Sequence, residues 1–182
     1  MAEADVAAVR ADLAAERVRI EPWQELPAFR EWLAAMDAEL ASFQASQHDV
    51  VTDEPLSRRA LILVQDQLRQ DFPEAGAADV EQHPDRLAAV DRYARFVGQM
   101  YVTHLEGEWI NLGDPIRPAI RLPYAATYLE PRDLVAVAVN RPVPHLVELF
   151  STNVGAHRAW VDAGRPETAE WIARALRPGS DT

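Results

Sequence analysis

The sequence predicts a mainly helical α+β fold, a single domain spanning residues 1–182 in which a short antiparallel β-hairpin packs on a central helix. Three observations predict it. Apolar residues recur at steps of three and four over most of the chain. One long striped segment, Pro84 to Leu105, runs into Gly107 and then Trp109. Two short alternating segments follow it, Glu108–Leu112 and Pro118–Tyr124, with a turn around Asp114-Pro115 between them. A chain of 182 residues is long enough for one hydrophobic core.

Ala2–Arg19 is rich in Ala, Glu and Arg, and Val6, Val9 and Leu13 share one stripe, so it reads as a loosely packed surface helix. Pro22 is expected to break it. Gln24–Ser46 carries Leu26, Phe29, Leu33, Met36, Leu40 and Phe43 along one face, the pattern of a helix packed over its whole length. A polar turn follows, and Asp53 is placed to cap a helix over Pro55–Asp71. The run Ala60–Val64 is apolar all round, which points to deep burial. Phe72–His83 reads as a mobile loop.

In the central helix, Leu87, Val90, Ala94, Val97, Tyr101 and His104 form one stripe, and Tyr93, Phe96 and Met100 a second. Gly98 costs helix stability of about 1 kcal/mol, so its presence predicts a close backbone approach by a neighbouring element. Gly107 fits the left-handed residue that ends a helix. Trp109 is expected on the buried face of the first strand. A hairpin alone is marginal and needs helices to pack on. Leu134–Val139 suits either a strand buried on both faces or a helix; Pro131-Arg132-Asp133 before it and Asn140 after it favour the helix. Pro144–Ser151 and Pro166–Leu176 are the last two helices, the latter burying Trp171, Ile172 and Leu176, before a disordered tail at 177–182.

Composition excludes much chemistry. Without cysteine there is no disulfide, thiolate nucleophile or cysteine metal site. All 18 basic residues are arginine, so there is no Schiff-base or P-loop lysine. Phosphate-cradling glycine loops and a Gly-x-Ser-x-Gly elbow are missing as well. A net charge of −11 disfavours nucleic acid and anionic membranes and suits a basic protein partner. No apolar run reaches the ~20 residues of a membrane span. The start lacks a secretory pattern, so a cytoplasmic protein is expected.

Candidate functional residues cluster near the helix–hairpin junction. Glu106, Glu108 and Asp114 read as a carboxylate patch for a basic partner. Tyr101, His104, Tyr124 and Tyr128 are candidates to line a pocket between helices and hairpin. No two of the five histidines lie at i,i+3 or i,i+4; His145 with Glu148 and His104 with Glu108 are the nearest approach to a metal site. No catalytic residue, metal or cofactor is expected. The expected function is therefore a non-catalytic, acidic, partner-binding protein, with a small-molecule pocket and an oligomerisation module as alternatives.

Phe96-Val97-Gly98 through Leu105-Glu106-Gly107-Glu108-Trp109, then Pro131-Arg132-Asp133-Leu134-Val135, resembles a pattern of small bacterial α+β domains of unknown function, some of them immunity-like. In those domains the junction commonly has two consecutive glycines, whereas Glu106 occupies the first position here. The resemblance implies a helix at Leu134–Val139 and carries over no catalytic residue.

Overall fold

The computed structural model describes residues 2–46, 54, 56–72, 84–139 and 145–176. Asp53, the 73–83 loop, Asn140, the 141–144 turn and the 177–182 tail lie outside the described residues. The elements are α1 (Ala2–Gln24), α2 (Pro27–Ala34), α3 (Met36–Ser46), α4 (Arg58–Asp71), α5 (Pro84–Leu105), β1 (Glu108–Asn111), β2 (Pro118–Arg121), α6 (Pro131–Val139), α7 (His145–Asp162) and α8 (Thr168–Ala175). The two strands form an antiparallel hairpin with Trp109 opposite Ile120 and Ile110 opposite Ala119. No described helix is long and apolar enough to cross a membrane.

The central helix α5 is the axis of the core. Val90, Tyr93, Ala94, Phe96, Val97, Met100 and Tyr101 are all buried, a wide arc that meets α3, α4, α6 and α7. Leu87 and His104, the two ends of the expected stripe, are instead exposed. Gly98 admits a side chain rather than a backbone. A Cβ there would lie 2.0 Å from Cη2 and 2.4 Å from Cζ2 of Trp109, and 3.0 Å from Cγ of Pro131. The indole of Trp109 thus fills a notch in α5. Trp32 of α2 stands edge-on to it at 4.9 Å between ring centroids, and the Trp109 indole N–H donates to Gln99 Oε1 at 3.2 Å.

A partly buried ionic network surrounds this contact. Asp91 accepts from Arg95 Nε at 2.8 Å, from Arg132 Nη2 at 2.6 Å and from the Trp32 indole at 3.2 Å. Arg95 is 5% exposed, donates to the Trp32 carbonyl at 2.7 Å and lies 4.0 Å over the Trp32 ring. Burial alone would raise the Asp91 pKa, but the hydrogen bonds from Arg132 and Arg95 outweigh it and hold it below the usual value.

The hairpin presents two apolar faces, as its period of two requires. Trp109 and Ile120 join the main core, while Ile110 and Ala119 pack with Leu112 beneath Ile20 of α1. This second face explains why α1 runs through Pro22 instead of breaking there. Gln24 Nε2 donates to the Asn111 carbonyl at 2.8 Å, and Asn111 N donates to Gln24 Oε1 at 2.9 Å. Asn111 Nδ2 also donates to the Trp23 carbonyl at 3.0 Å. Pro22 leaves the Val18 carbonyl without its helical partner, but Val18 is 68% exposed and water reaches that turn.

Three other expectations change. The helix expected over 24–46 is two helices meeting at Ala35, with Phe29, Trp32, Met36, Leu40 and Phe43 keeping one buried stripe across the joint. Among the described residues α4 begins at Arg58, capped by the Ser57 side chain, which accepts from Ala60 N at 3.1 Å; Ile62 in its apolar run reaches the surface. The helix expected to stop at Ser151 continues to Asp162. Ser151, Thr152 and Asn153 satisfy their side chains on the carbonyls of Val147, Glu148 and Leu149, so they do not compete with the helix. The segment Leu134–Val139 is helical, within α6. In α8, Ala169, Ile172 and Ala173 are buried and Trp171 half-buried, whereas Leu176 beyond its end is 71% exposed.

Gly98→Ala gains helix propensity of about 1 kcal/mol but drives Cβ into a rigid indole, so a net loss of about 2 kcal/mol or more is expected. Urea denaturation of G98A, and of G98A combined with Trp109→Phe, checks this; the second change should recover part of the loss. Asp91→Asn is expected to cost about 3 kcal/mol at neutral pH, because Arg95 stays buried without its anion. Its pH dependence follows from the lowered pKa of Asp91. The stabilisation is complete above the unfolded carboxyl value of about 4 and is lost as pH falls through the lower folded value. Denaturation midpoints measured from neutral pH down to acid should therefore decline less steeply in D91N than in the parent.

Candidate functional site

The C-terminal ends of α5 and α7 meet at one corner of the molecule, and both end in an unusual way. Glu106, just past α5, has φ 55°, and Arg165, just past α7, has φ 54°. They are the non-glycine residues with positive φ among the described residues. A left-handed conformation costs an L-residue about 1–2 kcal/mol. The two are also partners: Arg165 donates to Glu106 Oε1 from Nη2 at 2.9 Å and from Nε at 3.2 Å. His157 Nε2 lies 3.2 Å from the same oxygen. The hydrogen bond from Arg165, with His157 adding to it, holds the Glu106 carboxyl below its ordinary pKa.

This corner corrects the expected role of Gly107. The left-handed residue is Glu106, and Gly107 N donates to the Tyr101 carbonyl at 3.2 Å, closing the helix. Gly107 is needed for space: a Cβ there would lie 2.8 Å from Ile120 Cγ2 and 3.0 Å from the Tyr101 carbonyl oxygen.

On one side of the Glu106–Arg165 pair lies a groove of about 520 Å³. Its floor is Leu105, Phe150, Val154 and Val161; its walls are Arg58, His104, His157, Arg158 and Arg165. Arg58 comes from the start of α4, His104 from the last turn of α5, and His157 and Arg158 from α7. Among the described residues no carboxylate lines the groove, and neither Arg58 nor Arg158 has an ion pair. In a chain of net charge −11 this is a local concentration of positive charge over an apolar floor. On the other side lies a cleft of about 410 Å³ between α1, the hairpin and the start of α8. It is of mixed sign: Arg10 pairs with Glu167 and Arg121 with Glu108, while Arg17 has no ion pair among the described residues.

The residues singled out in the sequence divide among these places. Glu106, Glu108 and Tyr128 line the mixed cleft, and His104 lines the basic groove. Asp114 is exposed in the turn at the opposite end of the hairpin from Glu108 and belongs to neither cavity. Tyr101 is buried against Phe150, 5.3 Å between rings, and Tyr124 is buried beside His157 and Trp160. Burial pushes both phenols well above their ordinary pKa, and both pack in the core behind the groove. His104 pairs through Nε2 with the Leu56 carbonyl. Neither His104 with Glu108 nor His145 with Glu148 gathers a third metal-ligating side chain among the described residues.

Sequence reasoning missed Arg58, His157, Arg158 and Arg165. The available signal was the continuation of the stripe Leu146, Phe150, Val154, Val161 past Ser151, which places His157 and Arg158 at the edge of a buried face.

Glu106→Gly removes a left-handed side chain and an exposed ion pair together. The first gain, about 1–2 kcal/mol, exceeds the loss of about 0.2–1 kcal/mol, so thermal unfolding of E106G is expected at or above the parent midpoint. A clear drop would mean that the Glu106 side chain carries more stability than an exposed pair can.

No protein-family model, no curated protein and no solved structure matches this chain.

Proposed function

We propose that the protein binds an anionic small molecule in the basic groove between α4, α5 and α7. The observation that carries this reading is the gathering of three arginines and two histidines around one groove, with no carboxylate among its described lining residues and Glu106 reaching Arg165 and His157 from the neighbouring cleft. The three arginines put like charge on one groove, and an anion seated there gains from their summed field. The apolar floor formed by Phe150, Val154 and Val161 adds burial for the rest of the ligand.

A second reading keeps the acidic partner-binding role expected from composition. It is supported by the net charge of −11 and by α1, whose Glu3, Asp5, Asp12 and Glu21 are exposed and carry no ion pair among the described residues. Glu106 and Glu108 are already held by Arg165 and Arg121, so α1 carries more free negative charge than they do. In either reading we place the protein in the cytoplasm.

The groove is tested with 1-anilinonaphthalene-8-sulfonate, an amphipathic anion, titrated by fluorescence into the folded chain. The Arg58→Gln, Arg158→Gln double variant is expected to bind it about tenfold more weakly, the sum of two partly exposed charge contacts. Binding of the uncharged analogue N-phenyl-1-naphthylamine should not change. Equal affinity of the sulfonate for parent and double variant would count against the groove.

A further inference from the structure

Glu106 indicates what the charged end of the ligand is. Its side chain lines the mixed cleft under α1, while the groups that hold it, Arg165 and His157, line the basic groove. A carboxylate of the chain itself therefore reaches across the wall between two cavities and takes the groove's donors from outside. Its Oε1 is met by Arg165 Nη2 at 2.9 Å, Arg165 Nε at 3.2 Å and His157 Nε2 at 3.2 Å.

We propose that the groove's ligand is a carboxylate with an apolar body, and that its carboxylate takes Arg165 and His157 by displacing Glu106. This rests on the basic groove being an anion site. The donor set already satisfies a carboxylate, and the neighbouring floor of Leu105, Phe150, Val154 and Val161 suits hydrocarbon rather than a second charge. The exchange is nearly balanced in charge, because one exposed ion pair replaces another. Glu106 is exposed, and when released it is hydrated in a cleft that also holds Arg10 and Arg17. The net attraction then comes from the apolar body, at about 25 cal/mol for each Å² removed from water.

The test uses sodium octanoate titrated into the full chain, followed by NMR chemical shifts. In the parent, affinity should rise from butanoate through hexanoate to octanoate. Glu106→Gln removes the internal competitor, and octanoate should bind up to about fivefold more tightly, the equivalent of one exposed ion pair. Glu106→Gly, which relieves the backbone, should give the same gain and guards against a folding defect in E106Q. Arg165→Gln should weaken binding by a similar factor. Glu108→Gln removes a nearby charge held by Arg121 and should leave octanoate affinity unchanged. Equal gains from E106Q and E108Q, or no gain from E106Q, would overturn the exchange. If the Arg58, Arg158 variant still loses the sulfonate in that case, the groove stands and only the exchange falls. Failure of both probes to respond to any arginine removes both.

Discussion

The indole of Trp109 occupies the volume that the Cβ of any other residue at position 98 would need. Three elements meet at that one ring, and a fourth borders its notch. It belongs to β1, it enters α5 and it stands edge-on to Trp32 of α2, while Pro131 at the start of α6 lies against the same face of Gly98. The ionic network then closes around it, since Asp91 of α5 takes donors from Trp32, Arg95 and Arg132, one from each of the helices α2, α5 and α6. Such a network is rarely stabilising against an apolar replacement, but it is strongly directional. Its geometry is satisfied only when α2, α5 and α6 stand in one arrangement, the arrangement that the indole requires.

The consequences travel along the hairpin. With Trp109 turned into the core, the pleat turns Ile110 the other way, and Ala119 opposite it goes too. That second face needs its own cover, and Ile20 and Trp23 of α1 supply it. The end of α1 is then anchored by Gln24 and Asn111 rather than by its own sequence. At the other end of β1 the chain must turn from α5 into the strand within two residues. Gly107 passes between Ile120 and the Tyr101 carbonyl, and Glu106 takes the left-handed conformation that the turn demands. The indole contact and the Glu106 corner are thus two ends of one short segment.

Patterns that depend on local periodicity were legible in the sequence. The long α5, the hairpin and the helix at Pro131 follow from spacing, and the cost of an unexplained glycine marks Gly98 as a close approach, although the sequence suggests a backbone there and the Trp109 side chain fills it. What spacing does not contain is tertiary compensation. Pro22 reads as a breaker, and the packing of Ile20 on the hairpin and the bonds to Asn111 hold α1 beyond it. The expected helix ends at Ser151, because nothing local shows that the side chains of Ser151, Thr152 and Asn153 bond back to their own helix. Losing the second half of α7 also lost the groove, whose His157, Arg158 and Val161 lie on that half. The candidate carboxylates were visible as charges but not as partners. Pairing between Glu106 and Arg165 joins residues 59 apart, and no short-range pattern reports it.

That pairing is not accounted for by stability. Arg165 and Glu106 have side chains 53% and 43% exposed, and an exposed pair contributes about 0.2–1 kcal/mol. Each of the two residues meanwhile holds a backbone conformation that costs about 1–2 kcal/mol. The pair does not offset the strain of the positions that carry it, and glycine at either position would remove the strain outright. Strained residues that persist in a well-packed frame concentrate where a side chain has a task other than holding the frame. Here the frame is held elsewhere, by the indole in its notch and by Asp91, which leaves Glu106 and Arg165 free to face two cavities. An arginine kept at that corner beside His157, above an apolar floor and opposite two arginines without ion pairs among the described residues, is where the proposed anion would sit. The carboxylate that now occupies it is exposed to water and restrained by a single exposed ion pair and one histidine.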